Sequence, residues 1–319
     1  MTLFSLPPDL VHDVDRVDVI VRERVASRAA VLEIASRSIA PAKARALAAL
    51  TLLAARLGPR PNTEAALHAA ATVELIYASS RVHDDLMDEG ARRRGHAGGE
   101  QWSGDVALMV GDYLFALAAA EMALSPDPRI ISYFSHSVMA VCEGQLAPVT
   151  SVAPFDEAVA QYLYKAGSET GALFRAAGQA GTVCGDGSQE QIDRLGEVGF
   201  LLGLAWHMLD DARDVDAPDN QPRGSRLRAG AITLPLIYAA EAEPQLPWEQ
   251  MLAFGKPNEA HVDTMLAAVQ RTGAVQRVRA EARQHVQHAL ALLDDVPDGA
   301  VKQMLRDLVQ SAGSWHLNA

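Results

Sequence analysis

Apolar residues recur at helical spacing along almost the whole chain, and no strand-period segment of useful length interrupts them. Leu10, Val11, Val14, Val17, Val19, Ile20 and Val25 fall this way within 9–38, with charges between them. A composition dominated by alanine and leucine, with only 5% aromatic residues, favours helix over strand. Breakers then divide the chain. A helix reopened by Pro41 runs to Leu57 and stops at Gly58-Pro59-Arg60-Pro61, and Asn62-Thr63-Glu64 caps the next, from Glu64 to Gly90. After a glycine-rich loop over 95–104, helices are expected from Asp105 to Ala123, Ile130 to Leu146, Phe155 to Cys184 and Ser188 to Asp214. Gly167 and Gly171 mark points of close packing. A polar loop over 217–228 precedes a helix at 231–242 and a broken stretch at 244–257. Two helices, 258–295 and 298–311, finish the chain. No low-complexity linker appears, so the expectation for 1–319 is one all-α domain.

The formal charge of −12 leaves no concentrated basic surface and argues against nucleic acid as a partner. Cys142 and Cys184 have no metal-ligand spacing and read as two small buried thiols in a reducing cytoplasm. No secretory signal pattern opens the chain, and no run of 18 apolar residues suits a transmembrane segment. A cytoplasmic protein is expected.

Chemistry concentrates in two places. In Val82-His83-Asp84-Asp85-Leu86-Met87-Asp88, three aspartates stand at i, i+1 and i+4, and Arg92, Arg93 and Arg94 come soon after. On a helix, Asp84 and Asp88 project from nearly one side, with Asp85 roughly 100° round. Such packing of like charge is costly unless a cation sits among the carboxylates. Hard divalent ions such as Mg²⁺ accept those oxygens and keep other positions for water or phosphate. The arginines suit phosphate, because a guanidinium fork matches its oxygens in pairs. One acidic triplet on a helix is ordinarily a solvated face. Here the spacing repeats in Asp210, Asp211 and Asp214, again behind an apolar run. Two facing patches of this kind could hold several metal ions around one diphosphate.

These residues resemble the trans-polyprenyl diphosphate synthase family of the isoprenoid synthase group. The first triplet with Arg93-Arg94-Gly95 is similar to that family's first Asp-rich motif and its trailing arginines. Gly111-Asp112-Tyr113-Leu114 and Glu143-Gly144-Gln145-Leu146 are similar to two secondary motifs. The second triplet, Gly224-Ser225 and the stretch Gly230 to Pro235 resemble the second Asp-rich motif and the family segment C-terminal to it. The resemblance spans about residues 40 to 240. It implies a bundle of long helices around a deep central cavity, usually a homodimer, with the triplets facing each other across the cavity mouth. It further implies that Asp84, Asp85, Asp88, Asp210, Asp211 and Asp214 are catalytic metal ligands for Mg²⁺. The metal grips an allylic prenyl diphosphate, and isopentenyl diphosphate attacks the cation left when the C–O bond breaks.

The phosphate ligands depart from the family pattern. Where the family has a Gly-Lys-Arg-x-Arg-Pro segment, this chain has Ala42-Lys43-Ala44-Arg45-Ala46-Leu47, leaving Lys43 and Arg45 as candidate cations. Tyr77 stands where the family has a histidine, and Arg81 replaces a leucine. The family's Lys-Thr pair reads Glu169-Thr170, with Lys165 one turn earlier, and its Phe-Gln pair reads Trp206-His207. Arg226 stands at an aspartate position and Ala231 at a lysine. Lys165, Thr170, His207 and Arg226 are therefore candidate substrate ligands. Ser79 and Ser80, small where bulky residues shorten the family's product, hint at room for a long chain. Three readings stay open: elongation with replacement cations, a terpene synthase that ionises its substrate without isopentenyl diphosphate, and a partner subunit of a heteromeric synthase. A non-catalytic scaffold is disfavoured, since empty acidic clusters would repel one another.

Overall fold

The computed structural model describes residues 8–26, 45–87, 104–125, 127–216, 223–252 and 257–311, and every regular element among them is helical. Helix α1 (Pro8–Val25) is followed by α2 (Ala46–Arg56), α3 (Thr63–Met87), α4 (Gly104–Met122) and α5 (Pro128–Leu146). Helix α6 (Phe155–Ala166) leads through a π turn (Gly167–Gly171) into α7 (Ala172–Cys184). Then come α8 (Gln189–Val215), the short α9 (Ser225–Arg228), α10 (Leu234–Ala242), α11 (Trp248–Leu252), α12 (Glu259–Arg271), α13 (Ala274–Leu292) and α14 (Ala300–Ser311).

Local chemistry sets the helix starts. Asn62 Oδ1 accepts the Ala65 N–H (3.2 Å) at the head of α3. Asp127 accepts the Arg129 N–H (2.9 Å) ahead of α5, with Pro128 where its missing donor costs nothing. Ser188 and Gln191 form a reciprocal capping box at α8. The 27-residue α8 buries residues on several faces, as a central helix must. It packs chiefly on α7 and α13, while α7 also touches α2, α3 and α5. Helix α7 thus stands between the two aspartate-bearing helices, α3 and α8. Small residues allow it: a Cβ on Gly199 would lie 2.1 Å from the Phe174 carbonyl oxygen. Gly199→Val should lower stability by about 3 kcal/mol or more, because backbone on the facing helix cannot retreat as a side-chain tip could. A urea midpoint unchanged from wild type would refute that packing.

Several expected boundaries change. The helix expected over 155–184 carries the π turn, whose i→i+5 bonding leaves no periodic trace in sequence. The loop expected over 217–228 contains α9, since the Asp214 carboxylate accepts the N–H groups of Ser225 (2.9 Å) and Arg226 (3.1 Å). The helix expected from Ala231 starts at Leu234, with Pro235 in its first turn. The broken stretch at 244–257 holds α11. The helix expected over 258–295 is two, divided at Gly273, whose φ of +70° ends the right-handed run. Cys142 is exposed, against expectation; Cys184 is buried, and burial pushes its thiol up to about 12. The helical expectations over 27–38, 41–44 and 88–90 lie outside the described residues.

Candidate active site

The last turns of α8 carry Asp210, Asp211 and Asp214, and Arg226 lies against all three. Its Nη1 pairs with Asp211 and its Nη2 with Asp210, while its backbone N–H donates to Asp214 Oδ2 at 3.1 Å. Asp211 is only 1% exposed. Burial alone would depress the Arg226 charge, but Asp211, Asp210 and Asp214 outweigh it and hold the guanidinium well above its ordinary range. Burial raises the Asp214 carboxyl in spite of the donors it accepts from α9.

One turn back on α8, the His207 ring nitrogen Nδ1 lies 2.9 Å from Thr170 Oγ1, and Nε2 lies 4.0 Å from Asp211 Oδ2. Burial lowers the His207 pKa from 6.5, so the imidazole is neutral at neutral pH and acts as a hydrogen-bonding group. The π turn brings Thr170 there. A Cβ on Gly203 would sit 2.8 Å from Gly171 Cα and 2.9 Å from the Thr170 carbonyl oxygen, so only glycine admits this approach. Gly167 and Gly171 abut the Phe200 ring, in line with the close packing expected at both. Lys165 pairs with Glu169 and donates to the Gly144 carbonyl at 3.2 Å. Glu169, standing where the family has a cation, thus occupies the replacement lysine. Trp206 packs on Phe174 with ring centroids 6.0 Å apart.

Tyr162 has no signal in the sequence beyond an apolar position on α6. It is fully buried, its ring meets His207 edge-on at 5.9 Å, and burial with the Asp211 charge pushes its phenol up. Its hydroxyl lies beside the Asp211 carboxylate, and both that hydroxyl and Asp211 Oδ2 are buried.

On α3, half-buried Tyr77 lies in the field of Arg81, Asp210, Glu74 and Arg226, so this helix faces the second triplet. Burial is the main cause of its raised pKa. Arg81 is exposed at the same end of α3. Ser79 donates to the Gly111 carbonyl at 2.9 Å, and the His83 ring packs against Gly111 where a Cβ would stand. Asp84 and Asp85 fall in the last turn of α3. Their side chains, and the candidates Asp88, Arg93, Arg94 and Lys43, lie outside the described residues.

Arg45 is committed elsewhere. It is 8% exposed and held between Asp18 of α1 and Glu74 of α3, the latter at 3.1 Å. Glu74 also accepts the Ala48 N–H at 3.1 Å, capping α2 from outside it. Sequence reasoning missed Asp18 and Glu74, since nothing local links three separate helices.

Among the described residues no three acidic, histidine or cysteine groups are gathered for a metal. Arg226 takes up two aspartates and α9 the third. The residue types nonetheless suit a hard divalent ion: three carboxylates in adjacent turns of α8, two of them now paired with Arg226.

An all-α bundle of long helices with a carboxylate triplet in the last turns of α8 has the architecture of the isoprenoid synthases. The polyprenyl synthetase family profile matches residues 30–270, and the chain belongs to that family. It is 32% identical over 267 residues to component 2 of the heptaprenyl diphosphate synthase of Geobacillus stearothermophilus, covering 82% of each chain. It is 31% identical to the nonaprenyl diphosphate synthase of Mycobacterium tuberculosis, covering 83% of this chain and 81% of that one. A polyprenyl synthase from Caulobacter crescentus, solved with calcium and isoprenyl diphosphate, superposes with a TM-score of 0.86 at 27% identity over 95% of both chains.

Proposed function

We propose that this chain is a prenyl chain-elongating transferase that condenses an allylic prenyl diphosphate with isopentenyl diphosphate. Membership of the polyprenyl synthetase family carries the reading, and the second triplet in the last turns of α8, whose Asp210 lies in the field acting on Tyr77 of α3, supports it. Asp84, Asp85, Asp88, Asp210, Asp211 and Asp214 would hold Mg²⁺. Bound divalent metal neutralises the charge that develops on the departing diphosphate. The chain's own residues do the rest. Arg226, beside the triplet, has the fork geometry to take diphosphate oxygens. His207 and Thr170 form a neutral hydrogen-bonding pair next to Asp211. Trp206 and Phe174, packed on one another, would shield a carbocation, whose charge aromatic faces tolerate. Lys43, Arg81, Arg93, Arg94 and Lys165 are the further candidate phosphate cations, and the small Ser79 and Ser80 suit a long product.

We also propose a homodimer. One face of α4 exposes Leu108, Met109 and Phe115, and α5 exposes Ile131 and Met139, apolar side chains that a second copy could cover. No described helix is long and apolar enough to cross a membrane.

Farnesyl or geranylgeranyl diphosphate incubated with Mg²⁺ tests the reaction. Longer diphosphates should form only when isopentenyl diphosphate is added. Hydrocarbon or alcohol released without it would establish a terpene synthase instead. No turnover until a second protein is supplied would point to a heteromeric subunit.

A further inference from the structure

The second triplet already has a cation, supplied by the chain itself. Arg226 spends its guanidinium on Asp210 and Asp211, and α9 is fastened to Asp214 through two N–H donors. Gly224, at φ +67°, turns the chain into α9, and its N–H reaches the Asp214 carbonyl at 2.6 Å. The arginine is therefore positioned by backbone anchored to the same triplet that its side chain neutralises. Arg226 engages only one Asp211 oxygen; the other, Oδ2, is buried in the neighbourhood of the Tyr162 hydroxyl and the His207 ring. Arg226 brings a single positive charge to three carboxylates, a balance that a ligand of higher charge would improve.

We infer that Arg226 is a built-in counter-ion which a divalent cation must displace, so that the second triplet takes up metal together with diphosphate and poorly without it. This rests on the proposed reading of the triplet as a metal site. A metal ion entering alone would have to compete with the guanidinium for the Asp210 and Asp211 oxygens, and the displaced side chain, 31% exposed, would lose both partners. Diphosphate removes that penalty, because it offers the released fork paired oxygens of the right spacing. Metal and diphosphate then favour each other's binding, and the coupling is reciprocal. Arg226 becomes a residue that changes partners: aspartates before substrate arrives, diphosphate afterwards.

Calorimetric titration of MgCl₂ into the full-length chain, with and without inorganic pyrophosphate, tests this. An Asp84→Asn/Asp85→Asn background leaves the second triplet to dominate the heat. Arg226→Ala should bind Mg²⁺ alone about tenfold more tightly than its parent, since the Arg226 guanidinium no longer competes. Pyrophosphate should tighten Mg²⁺ binding by about tenfold in the parent and far less in R226A. The metal-free melting temperature of R226A should fall, and Mg²⁺ should raise it more than in the parent. Arg226→Lys keeps one charge without the fork, should fall between the two, and decides the matter if R226A does not fold. Equal Mg²⁺ affinities in parent and variants would overturn the counter-ion role and leave the metal site standing. No Mg²⁺ binding by any of them, even with pyrophosphate, would overturn both.

Discussion

Asp211→Asn lowers kcat by about 10²–10³-fold and leaves the fold in place. The side chain keeps its size, so the buried position at the end of α8 stays filled. The substitution removes one full negative charge among the three carboxylates that would grip metal against the leaving diphosphate. That interaction is worth most when the C–O bond is breaking, so the loss belongs in kcat more than in KM. Stability should fall by less than the ~3–5 kcal/mol of a broken buried pair, because Arg226 keeps Asp210 as a partner. Steady-state kinetics beside a urea melt separates the two effects. Activity within about threefold of wild type in a normally folded protein would remove Asp211 from the catalytic machinery.

The helical class is legible in the sequence because apolar spacing and caps are local. Asn62, Ser188 and the Gly58-Pro59 stop mark helix ends within a residue or two of where the structure has them. The second triplet is legible for the same reason: i, i+1 and i+4 on a helix must share a turn. The partners of each group are not. Arg226 stands out in sequence only as a cation at an aspartate position; its place depends on α9, whose first N–H groups are capped by Asp214 from eleven and twelve residues away. Thr170 reaches His207 through a π turn and a glycine contact that leave no periodic signature. Lys165 reads in sequence as a free replacement cation, yet the glutamate four residues on claims it.

Arg45 poses the sharpest contrast between a motif-based reading and a contact-based one. As a phosphate ligand it would matter to substrate affinity alone. Buried between Asp18 and Glu74, it ties α1, α2 and α3 together, and Arg45→Met should cost about 3–5 kcal/mol by leaving Glu74 buried without its guanidinium and Asp18 with only Arg22 among the described residues, 3.9 Å away. The deficit should depend on pH in a definite direction. Burial holds the Glu74 carboxyl above its ordinary 4.5, so the unfolded chain surrenders that proton at lower pH than the folded one. Stability from this group is fully present below 4.5 and drains away as pH rises through the folded value. Arg45 is the charge that limits the rise; without it the folded value climbs further and the window widens. R45M should therefore unfold most easily at neutral pH and recover part of its stability as the pH falls towards 4.5. Urea melts at several pH values check the slope. A variant that melts like wild type throughout, but shows a raised KM for isopentenyl diphosphate, would return Arg45 to the substrate.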